Sequence, residues 1–318
     1  GMGANKIFGM SGGVEVPSQV SINGAQQVTK MLGLRSKKPP LHVENEQGSF
    51  YIGGSAHDWG HPIENLDYDR VIGAPEMRAL FYGSLTHYMK SYGSLDGDIT
   101  VTVGMPLEPL TGEDAQQNVY AVRRWMKGSH CWKADGQQYE IYIQDVKITS
   151  QPVGALFDYL LDEQGVFIPE RKAVFGKEVG IISVGFNTVE LLVVRNKQTV
   201  QRFTVGTTAG VRRLLEITNP RGMYSMGELD TLLRSQQLDI RDALVIWERE
   251  VTGVIESTWG QSWKRFAAIL MVGGGTILLA NSLSYHFRGK VYIPENPVLS
   301  IARGLYKLGL FQERRKRR

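Results

Sequence analysis

The sequence predicts an α/β protein folded as two lobes. Three observations predict it: buried-type strands in both halves, amphipathic helical segments between them, and a length of 318 residues. At roughly 100–200 residues per domain, that length suggests two domains. Residues 99–103, 141–143, 179–184 and 267–272 are short apolar runs, each ending in glycine or a turn. Continuous rather than alternating apolarity suits strands covered on both faces.

The elements follow in chain order. The first half, to about residue 150, is strand-rich, with polar loops such as residues 35–40. Residues 76–90 place Met77, Leu80, Phe81, Leu85 and Tyr88 near one helix face. Residues 153–161 repeat that spacing with Val153, Leu156, Phe157 and Leu160, ending before Gly165. The strand at 179–184 continues into an antiparallel meander, 188–194 and 199–205, turning at Arg195-Asn196-Lys197-Gln198. Residues 242–259 read as a helix through Leu244, Trp247, Val251, Val254 and Ile255, and residues 277–287 as another. Pro297 precedes a last helix, 298–308, where a first turn tolerates proline. A boundary near 149–154 fits a hinge, and ligand sites favour the cleft between domains.

Composition narrows the function classes. With 42% hydrophobic and 21% charged residues the chain is neither disordered nor fibrous. A net charge of +4 is too mild to argue for nucleic acid, and no 20–50-residue repeat stands out. A single cysteine, Cys131, excludes an internal disulfide and points to a reduced, cytoplasmic chain. The longest apolar stretch, 266–280, is shorter than the ~20 residues of a membrane span and is broken by Gly273, Gly274 and Gly275, so no membrane role is expected.

Three glycine turns carry the chemical signal. Gly185-Phe186-Asn187-Thr188 joins two strands, which excludes a Rossmann or Walker A loop, since both open helices. Such a turn can aim backbone N–H groups at a phosphate, with the Ser183 and Thr188 hydroxyls beside it. The alternative is a tight hairpin with no ligand. Gly273-Gly274-Gly275-Thr276 links a strand to a helix, where backbone can approach a flat ligand closely. The alternative there is a turn that simply needs unusual φ/ψ. Gly1-Met2-Gly3-Ala4-Asn5-Lys6 is the third, with a lysine able to meet a phosphate as a point charge.

Together, in this order, these segments resemble the ATPase superfamily of actin, heat-shock chaperones and sugar kinases, closest to ParM-type plasmid segregation and archaeal actin-like proteins. Gly1 and Lys6 match a first phosphate hairpin, D-x-G-x-x-x-x-K. Residues 183–190 match the second, D-x-G-x-x-T-x-D/E, through Gly185, Thr188 and Glu190. Residues 50–56, 101–107, 151–155, 271–276 and 295–304 resemble further family segments, including both interdomain crossings.

The resemblance implies an α/β, two-lobed actin-like ATPase fold of ribonuclease H-like duplicated domains, with an interdomain nucleotide cleft. Residues 1–150 would form the N-terminal lobe, with 298–318 returning to it, and 151–297 the C-terminal lobe. ATP or ADP with Mg²⁺ would sit between the lobes. Gly3, Asn5 and Lys6 would hold it from one side, and Ser183, Gly185, Phe186, Asn187 and Thr188 from the other. The adenosine would lie against Gly273, Gly274, Gly275 and Thr276. Gly206 and Gly210 open the helix that approaches the ribose, where Arg213 or Glu216 reaches it. Gln151 would orient the attacking water, its amide offering donor and acceptor. Glu190 is expected to be structural.

The chain departs from the family pattern at both metal-anchoring aspartates. The first would fall two residues ahead of Gly1, on a strand preceding it, unless Gly1-Met2 is a tag remnant before a start methionine. The second is replaced by Ser183. No residue is therefore assigned to the metal, and slow or absent hydrolysis is expected. The resemblance further implies self-association into filaments for plasmid or DNA segregation, with a DNA-binding adaptor protein. The rival readings are a non-hydrolysing nucleotide-bound scaffold and a small-molecule kinase. The basic run Arg314-Arg315-Lys316-Arg317-Arg318 reads as a solubilising tail or a non-specific DNA contact. His57, Asp58 and His61 read as a solvated loop, Cys131 beside His130 as no catalytic dyad, and Trp247, Trp259 and Trp263 as core or subunit contact.

Overall fold

A computed structural model of the chain describes residues 3–22, 38–65 and 67–316, the side chain of Asp69 excepted. Residues 1–2, residues 35–37 of the loop at 35–40, and Arg317 and Arg318 lie outside the described residues.

The chain opens with β1 (Ala4–Gly9) and β2 (Gly12–Pro17), which pair only with each other among the described residues. A seven-stranded sheet follows. It is built from β3 (Val20–Ile22), β4 (Leu41–Asn45), β5 (Gly48–Ile52), β6 (His61–Pro62), β7 (Asp98–Met105), β8 (Gly128–Ala134) and β9 (Gln137–Ser150), in the order β6-β3-β5-β4-β8-β9-β7. Two helices, α1 (Pro75–Tyr92) and α2 (Ala115–Met126), pack on it. Met77, Leu80, Phe81 and Leu85 of α1 join Val122 and Met126 of α2 and the buried side chains of β4, β5 and β9 in one core.

After α3 (Gln151–Leu160) and the short α4 (Pro169–Lys172) comes a second sheet. Its strands are β10 (Val179–Val184), β11 (Val189–Arg195), β12 (Gln198–Thr199), β13 (Val205–Thr207), β14 (Ala268–Val272) and β15 (Val291–Tyr292). The order is β12-β11-β10-β14-β15, with β13 on the edge of β11. Among the described residues the remaining helices are α5 (Val211–Thr218), α6 (Met226–Arg234), α7 (Arg241–Trp259), α8 (Thr276–His286) and α9 (Ser300–Lys316).

This second sheet has a core on each face. Ile182, Val184, Leu191, Ile269 and Met271 point toward α5, α7 and α8, where Trp247 and Trp259 are fully buried. Ile181, Leu192, Leu270 and Val272 point toward α3, with Ile301 and Phe311 of α9 packed alongside. Alternate residues of one apolar run thus serve two layers, which is why the run shows no alternation. The three tryptophans are core: Trp247, Trp259 and Trp263 are 0%, 1% and 7% exposed. No helix among the described residues is long and apolar enough to cross a membrane.

Three expectations change. The strand at 199–205 is split: β12 pairs with β11 but stops at Thr199, a 3₁₀ turn buries Phe203, and β13 then pairs back onto β11. The Trp259 indole N–H donates to the Phe203 carbonyl at 3.1 Å, anchoring that turn. The last helix begins at Ser300, three residues after Pro297, and continues to Lys316, so Arg314, Arg315 and Lys316 form its last turn. There their charge complements the helix dipole. His57 is not solvated: its imidazole is 10% exposed, lies 3.8 Å from Glu64 and abuts Gly227 of α6.

Candidate functional site

The parallel strands β10 and β14 end together, with Ser183 beside Val272, and each runs into a glycine turn. Ligands in open α/β sheets favour the carboxyl ends of strands. Here those ends face a cavity of about 1100 Å³ lined from both lobes.

The turn between β10 and β11 is held by the start of α5. Val211, Arg212 and Gly210 donate their N–H groups to the carbonyls of Gly185, Phe186 and Asn187 at 3.1, 2.7 and 3.2 Å. The carbonyls are thereby turned to the helix. The N–H groups of Phe186 and Asn187 have no backbone acceptor among the described residues, and both residues line the cavity. A concave array of free N–H donors suits an anion. Ser183, Gly185 and Thr188 line the cavity beside them.

The second turn approaches β10 closely. Gly275 donates to the Val184 carbonyl at 3.0 Å, and Gly273, at φ +95°, leaves no room for a side chain because a Cβ would sit 2.3 Å from that same oxygen. Gly274 differs: a Cβ there meets nothing within 4 Å. All three glycines line the cavity.

From the first lobe come Gly3, Asn5 and Lys6, and Gln151 lines the cavity from the start of α3 at the lobe junction. Gln151 opens α3 and its Nε2 donates to the Gly104 carbonyl at 3.4 Å, a long bond that leaves the amide free to turn. The Asn5 side chain is turned instead to α1, donating to Ser84 Oγ at 2.9 Å. Burial holds the Lys6 ammonium below its usual pKa, partly offset by the Glu15 carboxylate. A desolvated ammonium facing a cavity is poised to gain from an anionic ligand.

The structure does not bring Gly206, Gly210 or Thr276 to the cavity wall. Gly210 packs against the back of the Gly185 turn. The Thr276 hydroxyl donates to Val272 O at 2.8 Å, and its side chain is fully buried. Arg213 pairs with Glu250 on the surface, and Glu216 pairs with Arg212.

Sequence reasoning missed α6, which reaches across to the first lobe. Arg234 bonds both Asp230 (2.9 Å) and Glu15 (3.0 Å), beside Lys6. Gln19 donates to Gly227 O and Thr231 Oγ1 at 3.0 and 2.9 Å, and Glu64 accepts from the Gly227 N–H at 2.9 Å. The signal was present: Ser225 and Glu228 form a capping box, the S-x-x-E start of a helix.

Mg²⁺ finds no anchor in these residues. Among the described residues no group of three His, Cys, Asp or Glu could hold a metal. Of the carboxylates on the wall, Glu15 and Asp230 are paired with Arg234. Ser183 offers only a hydroxyl.

Glu190 is 1% exposed and points away from the cavity, accepting from the Leu107 N–H across the lobe junction at 2.6 Å. Burial pushes its carboxyl up from 4.5 to about 7, more than the Leu107 bond lowers it. A raised folded-state pKa means that the native state holds the proton longer. Stability from this group is therefore full below the unfolded pKa and is lost as pH rises from about 4.5 to 7. Glu190→Gln is expected to flatten that slope. At pH 8 it should raise stability by up to about 3 kcal/mol, checked by urea midpoints at pH 5 and 8. A steeper slope in the variant would refute the assignment.

Comparisons place this geometry. Residues 3–154 match the family described as the actin like proteins N terminal domain. Among curated proteins none matches the chain. Among solved structures the apo psk41 ParM protein superposes with a TM-score of 0.68 at 18% identity, covering 96% of this chain and 93% of that one. The archaeal actin homolog Ta0583 in complex with ADP gives 0.70 at 17% identity, covering 97% and 96%. A 15-stranded ParM filament from Clostridium botulinum gives 0.68 at 17%, again covering 97% and 96%. Residues 3–154 thus resemble an actin-like N-terminal domain, and the whole chain has the two-lobed fold of these actin homologues.

Proposed function

We propose that this chain binds ATP or ADP between its lobes and self-associates into filaments, with slow hydrolysis. The observation that carries the reading is the convergence of two glycine turns and the Lys6 hairpin, from opposite lobes, on one cavity. An ADP complex of Ta0583 and a ParM filament among the similar folds support it. The lobes are taken as 1–150 with 298–318, and 151–297, a division that the contacts of α9 with β1 and β7 support while its packing on α3 spans the junction. In this assignment the free N–H groups of Phe186 and Asn187 and the Lys6 ammonium hold phosphate oxygens. The base lies against Gly273–Gly275, and Gln151 orients water. Any Mg²⁺ arrives with the phosphates, and no residue is assigned to it. Segregation of plasmid DNA in the cytoplasm through an adaptor protein is the role that fits such filaments.

One experiment joins these points: sedimentation and phosphate release with Mg-ATP, on the native chain and on Gly274→Leu. Gly274 has open space ahead of its Cβ, so leucine there fills the cleft without straining the fold. The native chain should pellet with ATP. The variant should keep its melting temperature, lose at least about 10-fold in nucleotide affinity (~1.4 kcal/mol) and stay in the supernatant. Ser183 favours a second reading, a non-hydrolysing scaffold. Pelleting with phosphate release equal to buffer selects it, and no ATP-dependent pellet removes both.

A further inference from the structure

We propose that His57 is a pH-sensitive latch between the lobes: docked neutral on α6 it holds them together, and protonated it lets them part. His57 belongs to the 3₁₀ turn Ala56–Asp58, which follows β5 in the first lobe. Its ring lies against Gly227 in the first turn of α6, where an added Cβ would sit 2.3 Å from Nδ1 and 2.5 Å from Cε1. Only glycine admits the imidazole there. Asp230, Leu233 and Arg234 of the same helix line the cavity, so one element carries both the latch and part of the cavity wall.

The ring is held by packing alone. Both of its nitrogens are shielded from solvent, and neither has a hydrogen-bond partner among the described residues. Around it, Gln19 accepts from the Ser55 N–H at 3.0 Å and donates to Gly227 O and Thr231 Oγ1, tying the 3₁₀ turn to α6. A neutral imidazole leaves one donor unmet in this setting, whereas an imidazolium would bury two donors and a full charge. Burial accordingly holds the His57 pKa below its ordinary value, by more than the carboxylates facing it raise it. Those carboxylates are Glu64 and Asp58 of its own lobe and Glu228 of α6.

Glu64 sets the direction of the switch. Its Oε1 accepts from the Gly227 N–H across the junction at 2.9 Å and lies 3.8 Å from His57 Nδ1. A protonated Nδ1 competes for that same oxygen. Because His57 and Glu64 share the first lobe, protonation strengthens a contact within the lobe at the expense of one between lobes. Once the lobes part, water reaches the ring and its pKa returns toward 6.5. The parted form therefore binds the proton more tightly, and closure releases it. Joined lobes are favoured above about pH 6.5, and parted lobes gain by up to ~10-fold per pH unit below it, down to the lowered pKa of the docked ring.

The test is the distance between two spin labels, read by pulsed EPR without nucleotide at about pH 8 and pH 5.5. In a Cys131→Ser chain the labels sit on Gln47→Cys of the first lobe and Arg249→Cys of the second, both exposed positions. With His57 in place, a longer-distance population should grow at least about 3-fold at the lower pH. His57→Leu fills the same space without titrating and should give one distance at both pH values. Gly227→Ala wedges the ring from α6 and should show the longer distance at both. Should His57→Leu not melt cooperatively, His57→Gln takes its place in the comparison. A distance independent of pH with His57 present overturns the proposal. So does a pH response that survives in the His57 variant, since Glu190 and Asp230, whose carboxyls burial also raises, are untouched there. Because nucleotide is absent throughout, the outcome is independent of the ATP reading.

Discussion

Gly304→Val is expected to leave no stably folded protein. Gly304 of α9 lies against Gly154 of α3 so closely that an added Cβ would sit 1.8 Å from the Gly154 carbonyl oxygen and 2.6 Å from the Asp158 nitrogen. The contact is reciprocal, since a Cβ on Gly154 would meet the Ile301 carbonyl at 2.5 Å. Both obstacles are backbone, which no rotamer change relieves. Overpacking usually costs about 1–3 kcal/mol; here two helices must separate, and α9 also touches β1 and β7. The expected loss exceeds that range. Gly309→Ala on the same helix is the control, because its Cβ meets only Thr102 Oγ1 at 3.5 Å. Replacing glycine by alanine in a helix should stabilise by up to ~1 kcal/mol. Urea unfolding of the two variants separates them, and a Gly304→Val midpoint near that of the native chain would refute the crossing.

Asp158→Ala should lose about 3–5 kcal/mol, the range for breaking a buried ion pair from one side. Asp158 sits at the same crossing and is 7% exposed. Arg303 holds it with two bonds of 2.7 Å, Ser300 Oγ donates at 2.6 Å, and Lys307 Nζ approaches at 3.2 Å. Truncation strands Lys307, itself 4% exposed, with only the outer carboxylate of Glu163 at 2.9 Å. The double variant Asp158→Ala with Arg303→Met should recover part of the loss, a coupling that a mutant cycle reads directly. Strictly additive losses would show that the pair is not coupled.

How much of this was legible follows from the kind of burial. The strands of the second sheet, covered on both faces, were plain because every residue of 179–184 is apolar or small. The strands of the first sheet were missed where one face is exposed. β8 buries His130, Trp132 and Ala134 while Ser129, Cys131 and Lys133 face out, and β4 alternates likewise. A search for continuous runs passes over such segments, whereas a period-two count finds them. The meander failed at Thr199 because Phe203 gains more from burial under Trp259 than from continuing a ladder. At the site, the strand-end turns at 185–188 and 273–276 were readable, the second because close backbone approach demands glycine at Gly273, whereas Ala4, Asn5 and Lys6 of the third expected turn stand in β1. Contacts across the lobes were not readable. Arg234 with Glu15, Gln19 with Thr231 and Glu190 with Leu107 join residues 219, 212 and 83 positions apart.

The account rests on a nucleotide held between the two glycine turns, and calorimetric titration of ADP into the folded chain tests this most directly. Saturable heat at one site per chain is expected, with affinity at least about 10-fold weaker in Gly274→Leu at an unchanged melting temperature. Heat equal to that of dilution, from a native chain that still melts cooperatively, would contradict it.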